Sequence, residues 1–165
     1  MHRIAIAAAL SAAFAAPVAL GADRLRSTLT GDEEVPIVST VAAGAFSGLI
    51  SRGEDAIDYE LAYSGLQGTV QQAHIHLAQP SVNGGIVVWL CQTLTTPAPL
   101  AVRDLTPECP QSGIVTGLIT PANVIAAATQ QIAPGALGQV IAVMRAGFAY
   151  VNVHTTPSPG GEIRG

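Results

Sequence analysis

Lysine is absent from the 165-residue chain, and all seven of its basic residues are arginines against eleven acids. The arginines stand apart from one another. With no basic cluster and a formal charge of −4, nucleic acid and anionic membrane surfaces are poor partners. Aromatics are scarce, at 4%. Only two cysteines occur, and they form no CxxC pair, so the sequence gives no sign of a zinc ribbon or thioredoxin-like centre. There is no GxSxG elbow, no phosphate-binding P-loop and no GxGxxG turn. No serine or cysteine has an identifiable base beside it. These absences point to a non-catalytic protein. Histidine is also rare: the chain has four.

Glycine, proline and small apolar residues are plentiful instead. Met1-His2-Arg3 is a short basic start, and Ile4 to Leu20 is an apolar, alanine-rich run. Ala19 and Gly21 fit the small-residue pattern for signal-peptidase cleavage after Gly21, with cleavage after Ala22 as the near alternative. Residues 1–22 therefore read as a signal peptide and 23–165 as one domain. An uncleaved membrane anchor is the competing reading; Pro17, Ser11 and the weakly apolar alanines argue against it. The expected location is the periplasm or the exterior, with no membrane insertion after cleavage. In that setting Cys91 and Cys109 are expected to pair as a disulfide. The bridge would close a proline-rich loop of about 19 residues.

Period-two alternation dominates the rest. Ala56 to Tyr63 alternates without interruption, Ile57, Tyr59, Leu61 and Tyr63 taking one face. Strands are also expected at Arg24–Leu29, Val41–Ser51, Thr69–Ala78, Gly113–Ile119 and Phe148–Thr155. A final strand begins at Glu162-Ile163-Arg164. Ile86 to Cys91 is continuously apolar and predicts a central strand buried on both faces. Two helical stretches interrupt the pattern. Thr120-Pro121 predicts a helix from Pro121 to about Gln131. A second runs from Pro134 to Arg145, ended by Gly147. The expected fold is all-β: an antiparallel Greek-key β-sandwich or barrel of seven or eight strands. A small helical insertion precedes its penultimate strand.

The three histidines beyond His2 all fall in strands. His74 and His76, two apart, share a face, with Cα atoms roughly 6.5–7 Å apart. His154 lies on a late strand, on the same face as Asn152. Three converging imidazoles suit copper or zinc; the structural alternative is that each imidazole closes a hydrogen bond between strands. Asn152 and Glu162 are candidates for an oxygen ligand or a bond to a ligating histidine, although Glu162 is equally placed to pair with Arg164 or cap its turn. Asp32-Glu33-Glu34 reads as a solvated acidic loop from which one carboxylate could reach a cation.

The chain resembles the CHRD (chordin-type) domain family in its bacterial exported, single-domain form. The matching stretches are Leu29-Thr30-Gly31 with Glu34-Val35-Pro36, Ala73-His74-Ile75-His76, and Gly85-Ile86-Val87-Val88-Trp89-Leu90. The closing match is Ala149-Tyr150-Val151-Asn152-Val153-His154-Thr155 with Pro159-Gly160-Gly161-Glu162-Ile163-Arg164-Gly165. The family pattern runs a few residues beyond Gly165, which this sequence does not. The resemblance implies an exported β-sandwich with an unidentified protein or envelope partner. Growth-factor binding, which chordin achieves with additional modules, is not carried over. The paired histidines are also similar to copper/zinc superoxide dismutase, which makes a mononuclear copper redox protein the alternative function. A two-metal site is not expected, since no histidine lies between His76 and His154.

Overall fold

The computed structural model describes residues 23–165; the expected signal peptide lies outside them. Eight antiparallel strands follow in chain order: β1 Arg24–Thr30, β2 Ala43–Ile50, β3 Ile57–Ser64, β4 Val70–Leu77, β5 Gly85–Cys91, β6 Gly113–Ile119, β7 Ala149–Thr155 and β8 Ile163–Arg164. One helix, α1 (Leu137–Arg145), precedes β7. The strands lie side by side in the order β5-β4-β7-β8-β1-β2-β3-β6. The end strands β5 and β6 approach one another and nearly close a barrel. The Tyr59 hydroxyl on β3 spans the remaining seam, donating to the Leu90 carbonyl of β5 at 2.6 Å. The antiparallel architecture, expected with seven or eight strands, has eight, and a small helix precedes the penultimate strand as anticipated.

The core forms where the apolar phase of each strand turns inward. On β3, Ile57, Tyr59, Leu61 and Tyr63 are buried, while Asp58 and Glu60 are exposed. Ala73, Ile75 and Leu77 of β4 and Val151 and Val153 of β7 join them, and Leu137, Val140 and Ile141 pack α1 against the same core. Fully burying a leucine or isoleucine contributes about 1.5–3 kcal/mol, so this inward phase fixes the strand register. Histidines at the alternate positions of β4 and β7 must therefore lie on the barrel's outer face.

The first expected helix does not form. Pro121–Asn123 and Ala128–Gln130 are separate 3-10 turns. The signal behind that expectation was real: Thr120 and Asn123 form a capping box, with Asn123 Oδ1 accepting from the Thr120 amide at 2.9 Å. The competing partner is the exposed edge of β5. Val124 bridges to Val88, and the Ile125 amide donates to the Val87 carbonyl at 2.9 Å. A backbone satisfied by a strand edge cannot also close α-helical turns.

That contact also corrects the placement of β5. It is an end strand of the sheet, and its apolar run is buried because residues 124–125 cover its edge. The second helix is shorter than expected, starting at Leu137. Its end is as anticipated: Gly147 has φ 77°. Its amide donates to Met144, and that of Phe148 donates to Val143. These two bonds make a Schellman closure. The disulfide is present between Cys91 and Cys109, with Cα atoms 5.0 Å apart. Among the described residues, no helix is long and apolar enough to cross a membrane.

Candidate metal centre

The antiparallel pairing of β4 with β7 sets His74 opposite Asn152 and Gln72 opposite His154. Strand alternation places His74, His76, Asn152 and His154 on one outer face. Trp89 of β5 packs its ring edge-on to His74, with centroids 4.2 Å apart. Tyr150 stacks parallel to His76 at 4.8 Å, and the Arg164 guanidinium lies 4.2 Å from the Tyr150 ring centre. The loops after β1, β4 and β7 complete the cover. His74 is fully buried, and His76 and His154 retain only 7% and 6% exposure.

The three imidazoles each offer a nitrogen within 4.8 Å of the others. His74 Nδ1 and His154 Nε2 are 3.1 Å apart. Nitrogens bound tetrahedrally to one ion at about 2.0–2.1 Å lie roughly 3.4 Å apart. The closest pair lies near that spacing, and the third nitrogen is within 4.8 Å of both.

Proton positions follow from the backbone. His76 Nδ1 faces the Gly84 carbonyl at 3.0 Å, and His154 Nδ1 faces the Pro159 carbonyl at 3.0 Å. A carbonyl only accepts, so both Nδ1 atoms carry the hydrogen. Each neutral ring must then present an unprotonated Nε2. Main-chain carbonyls holding the far nitrogen of an imidazole are a recurrent support for metal ligation.

Asn152 Oδ1, another acceptor, lies 2.9 Å from His154 Nε2, while its Nδ2 is directed to the Gly160 carbonyl. Two acceptors, His154 Nε2 and Asn152 Oδ1, therefore face one another, with His74 Nδ1 3.1 Å from the first. His74 Nε2 and His76 Nε2 are buried with no hydrogen-bond partner. A buried lone pair without a donor, such as that of His76 Nε2, is costly, and a cation shared by the three rings would satisfy it. The donor set, nitrogen-rich and neutral, fits copper(II) or zinc.

The surroundings keep the rings neutral. Burial, aided by the neighbouring imidazoles of His154 and His76, lowers the His74 pKa to about 2. Burial likewise lowers His154 to about 4, partly opposed by its bond to Pro159. His76 is lowered by burial, which its bond to Gly84 partly offsets. Neutral imidazole is the form that ligates metal.

Three of the five candidate side chains thus converge, and Asn152 sits against them. Glu162 does not join the cluster. Its Oε1 accepts from the Thr40 hydroxyl at 2.8 Å and the Gln67 amide at 2.9 Å, and its Oε2 accepts from Thr155 at 2.7 Å. The carboxylate ties three loops to the barrel. Arg164, its alternative partner in sequence, instead donates to Asn83 Oδ1 at 3.0 Å.

Glu34 is the residue that composition concealed. It is buried, with Oε1 unpartnered. Burial raises its pKa to about 7, against the lowering influence of Arg164 and the Val35 backbone bond. Gly161, at φ 126°, makes room for it: a Cβ there would collide with Glu34 Oε1 and stand 2.8 Å from Asn152 Nδ2. Only its place in the Glu34-Val35-Pro36 motif set it apart from its exposed neighbours Asp32 and Glu33.

The family model of the CHRD domain matches residues 25–165. The chain belongs to the CHRD domain family. Both histidine-bearing strands of this CHRD domain, and the loops that cover them, fall within the match. A search of curated proteins and a search of solved structures each find no match.

Proposed function

We propose that this CHRD domain is an exported, non-catalytic binding or structural module whose three-histidine centre holds one copper or zinc ion. The observation that carries the reading is the convergence of three buried imidazoles with nitrogens within 4.8 Å of one another, where His154 Nε2 faces another acceptor, Asn152 Oδ1, at 2.9 Å and His76 Nε2 has no partner. His74, His76 and His154 would be the ligands. Asn152 would lend its oxygen to the ion or steady His154. The apolar N-terminal run and the disulfide support export. The partner is inferred to be a protein or an envelope component.

Calorimetry on chelator-stripped protein tests the reading. One copper or zinc per chain is expected, with binding at least 100-fold weaker in His74→Ala/His76→Ala; this scale corresponds to about 2.7 kcal/mol. Circular dichroism must show that the variant keeps its strands. Equal binding by a folded variant would exclude the site. The second reading, a mononuclear copper redox protein resembling superoxide dismutase, draws on the same imidazoles flanked by Tyr150 and Trp89. Their burial weighs against direct access by a reactant. Superoxide dismutation by copper-loaded protein, lost in the double variant, would favour it.

A further inference from the structure

Three imidazoles leave one corner of a tetrahedral ion to be filled. Asn152 is placed to fill it. On the sheet it lies between His74 of β4 and Arg164 of β8, and its side chain rises on the histidine face. Its Oδ1 is 2.9 Å from His154 Nε2, which is itself 3.1 Å from His74 Nδ1. Both spacings are near the roughly 3.4 Å that separates ligands arranged tetrahedrally around zinc. Because His154 Nδ1 donates to Pro159, Nε2 accepts, as Oδ1 does. Two buried acceptors gain nothing from facing one another. A cation between them makes the contact favourable.

The other end of the amide explains why it points this way. Asn152 Nδ2 faces the Gly160 carbonyl at 3.5 Å, a long contact. Glu34 Oε1 lies on the same side, and the two side chains meet across Gly161. A Cβ on that glycine would collide with Glu34 Oε1 and stand 2.8 Å from Asn152 Nδ2. Glu34 is only 4% exposed, and its Oε1 has no hydrogen-bond partner among the described residues. A firm turn delivers it: the Glu34 and Val38 amides both donate to the Gly31 carbonyl, at 3.2 and 2.9 Å. Reversing the amide would relieve His154 but set Oδ1 against the Gly160 carbonyl and Glu34 Oε1. Two acceptors at one end thus hold the NH2 group there and turn Oδ1 toward the imidazoles.

We propose that Asn152 Oδ1 is the fourth ligand of the metal centre and that Glu34 is its positioning residue, accepting from Asn152 Nδ2. Asn152 can ligate only if the three histidines hold an ion, so the assignment rests on that reading and deepens it. Three nitrogens and one oxygen, all from the protein, leave no position for solvent or a reactant. A closed set of four is the pattern of a structural zinc site, whereas catalytic sites keep one position open. Drawing Nδ2 onto Glu34 gives Oε1 the donor it lacks. An amide whose NH2 group donates to a carboxyl also carries more negative charge on its oxygen, which strengthens its bond to the ion.

Cobalt(II) serves as a coloured stand-in for zinc, and azide as a probe for an open coordination position. Cobalt-loaded wild type should show a tetrahedral spectrum that azide leaves unchanged. Asn152→Ala should open the fourth position, so that azide shifts the spectrum. Zinc calorimetry tests the link to Glu34. Glu34→Leu, which removes the acceptor at similar size, should weaken binding about 10- to 100-fold; Glu34→Gln, which keeps one oxygen, should lose less. In the Asn152→Ala background, Glu34→Leu should cost nothing further. A carboxyl that merely props its loop would cost the same in both backgrounds, and that result would overturn the proposal. So would an azide response in wild type, or none in Asn152→Ala. If Glu34→Leu does not fold, the azide responses and Glu34→Gln still decide. Wild type that binds neither cobalt nor zinc would instead overturn the three-histidine reading itself, a result distinct from binding with an open position.

Discussion

Single atoms decide the character of the centre. His76 and His154 each give Nδ1–H to a main-chain carbonyl, which commits both Nε2 atoms to accept. Burial then prevents the alternative of protonating them. This arrangement predicts how stability depends on pH. Above the ordinary histidine value of 6.5 the rings are neutral whether the chain is folded or not. As pH falls below 6.5 the unfolded chain takes up protons that the folded chain refuses. Stability is therefore lost progressively, down to about 4 for His154 and about 2 for His74.

Glu34 works with the opposite sign. Its pKa rises from 4.5 to about 7 on folding, so its contribution is complete below 4.5 and is lost as pH rises through 7. Between 4.5 and 6.5 three histidines oppose one carboxyl, and the net expectation is a decline on acidification. Urea unfolding of metal-free protein at pH 7.5, 5.5 and 4 should show midpoints falling in that order. Glu34→Gln, which cannot ionise, should make the fall steeper between 6.5 and 4.5. A midpoint independent of pH would contradict the proton assignments.

At the scale of elements, strands were legible and helical turns less so. β3 was legible because its alternation is unbroken and each phase has a definite environment. The His74–His76 face followed from the same period. What the sequence could not show was competition among segments for backbone partners. Thr120-Pro121 carries genuine capping chemistry, yet Val124 and Ile125 are claimed by the edge of β5. That tertiary contact also made an end strand look like a central one, since its apolar run is covered from the side. Glu34 reads as solvated in sequence but is buried, for a related reason: burial imposed by a distant loop leaves no mark on an acidic tripeptide. Glu162, expected as an oxygen ligand or a partner of Arg164, is neither, because its partners Thr40, Gln67 and Thr155 come from two loops and the end of β7 that local reasoning does not bring together.

The disulfide loop belongs to this scale as well. Cys91 ends β5, and the loop it closes returns at Cys109, where the amide donates to the Gln92 carbonyl at 2.8 Å. Replacing both cysteines with alanine should cost roughly 3 kcal/mol, which for a domain of this size lowers Tm by about 10 °C. Differential scanning calorimetry of the metal-free double variant measures it. An unchanged Tm would mean that the bond to Gln92 and the buried neighbours hold the loop unaided.

For the whole molecule, the barrel is a frame that uses its two surfaces for different purposes. Its interior carries the apolar phase of every strand. Its outer face at β4 and β7 is roofed by loops and carries the histidines. The CHRD family match spans the entire frame, so the site is part of the domain's architecture rather than an appendage. An ion held by two central strands and braced from β5 should stabilise the fold as a whole. One equivalent of zinc is therefore expected to raise Tm by several degrees in the wild type. It should leave His74→Ala/His76→Ala unmoved.

X-ray absorption spectroscopy at the zinc edge, on stripped protein reloaded with one equivalent, tests the three-histidine centre most directly. The centre predicts a tetrahedral first shell at about 2.0–2.1 Å containing three imidazole nitrogens, with multiple-scattering features from the rings. A shell of light oxygen atoms without imidazole scattering, or zinc that washes away from folded protein, would contradict it.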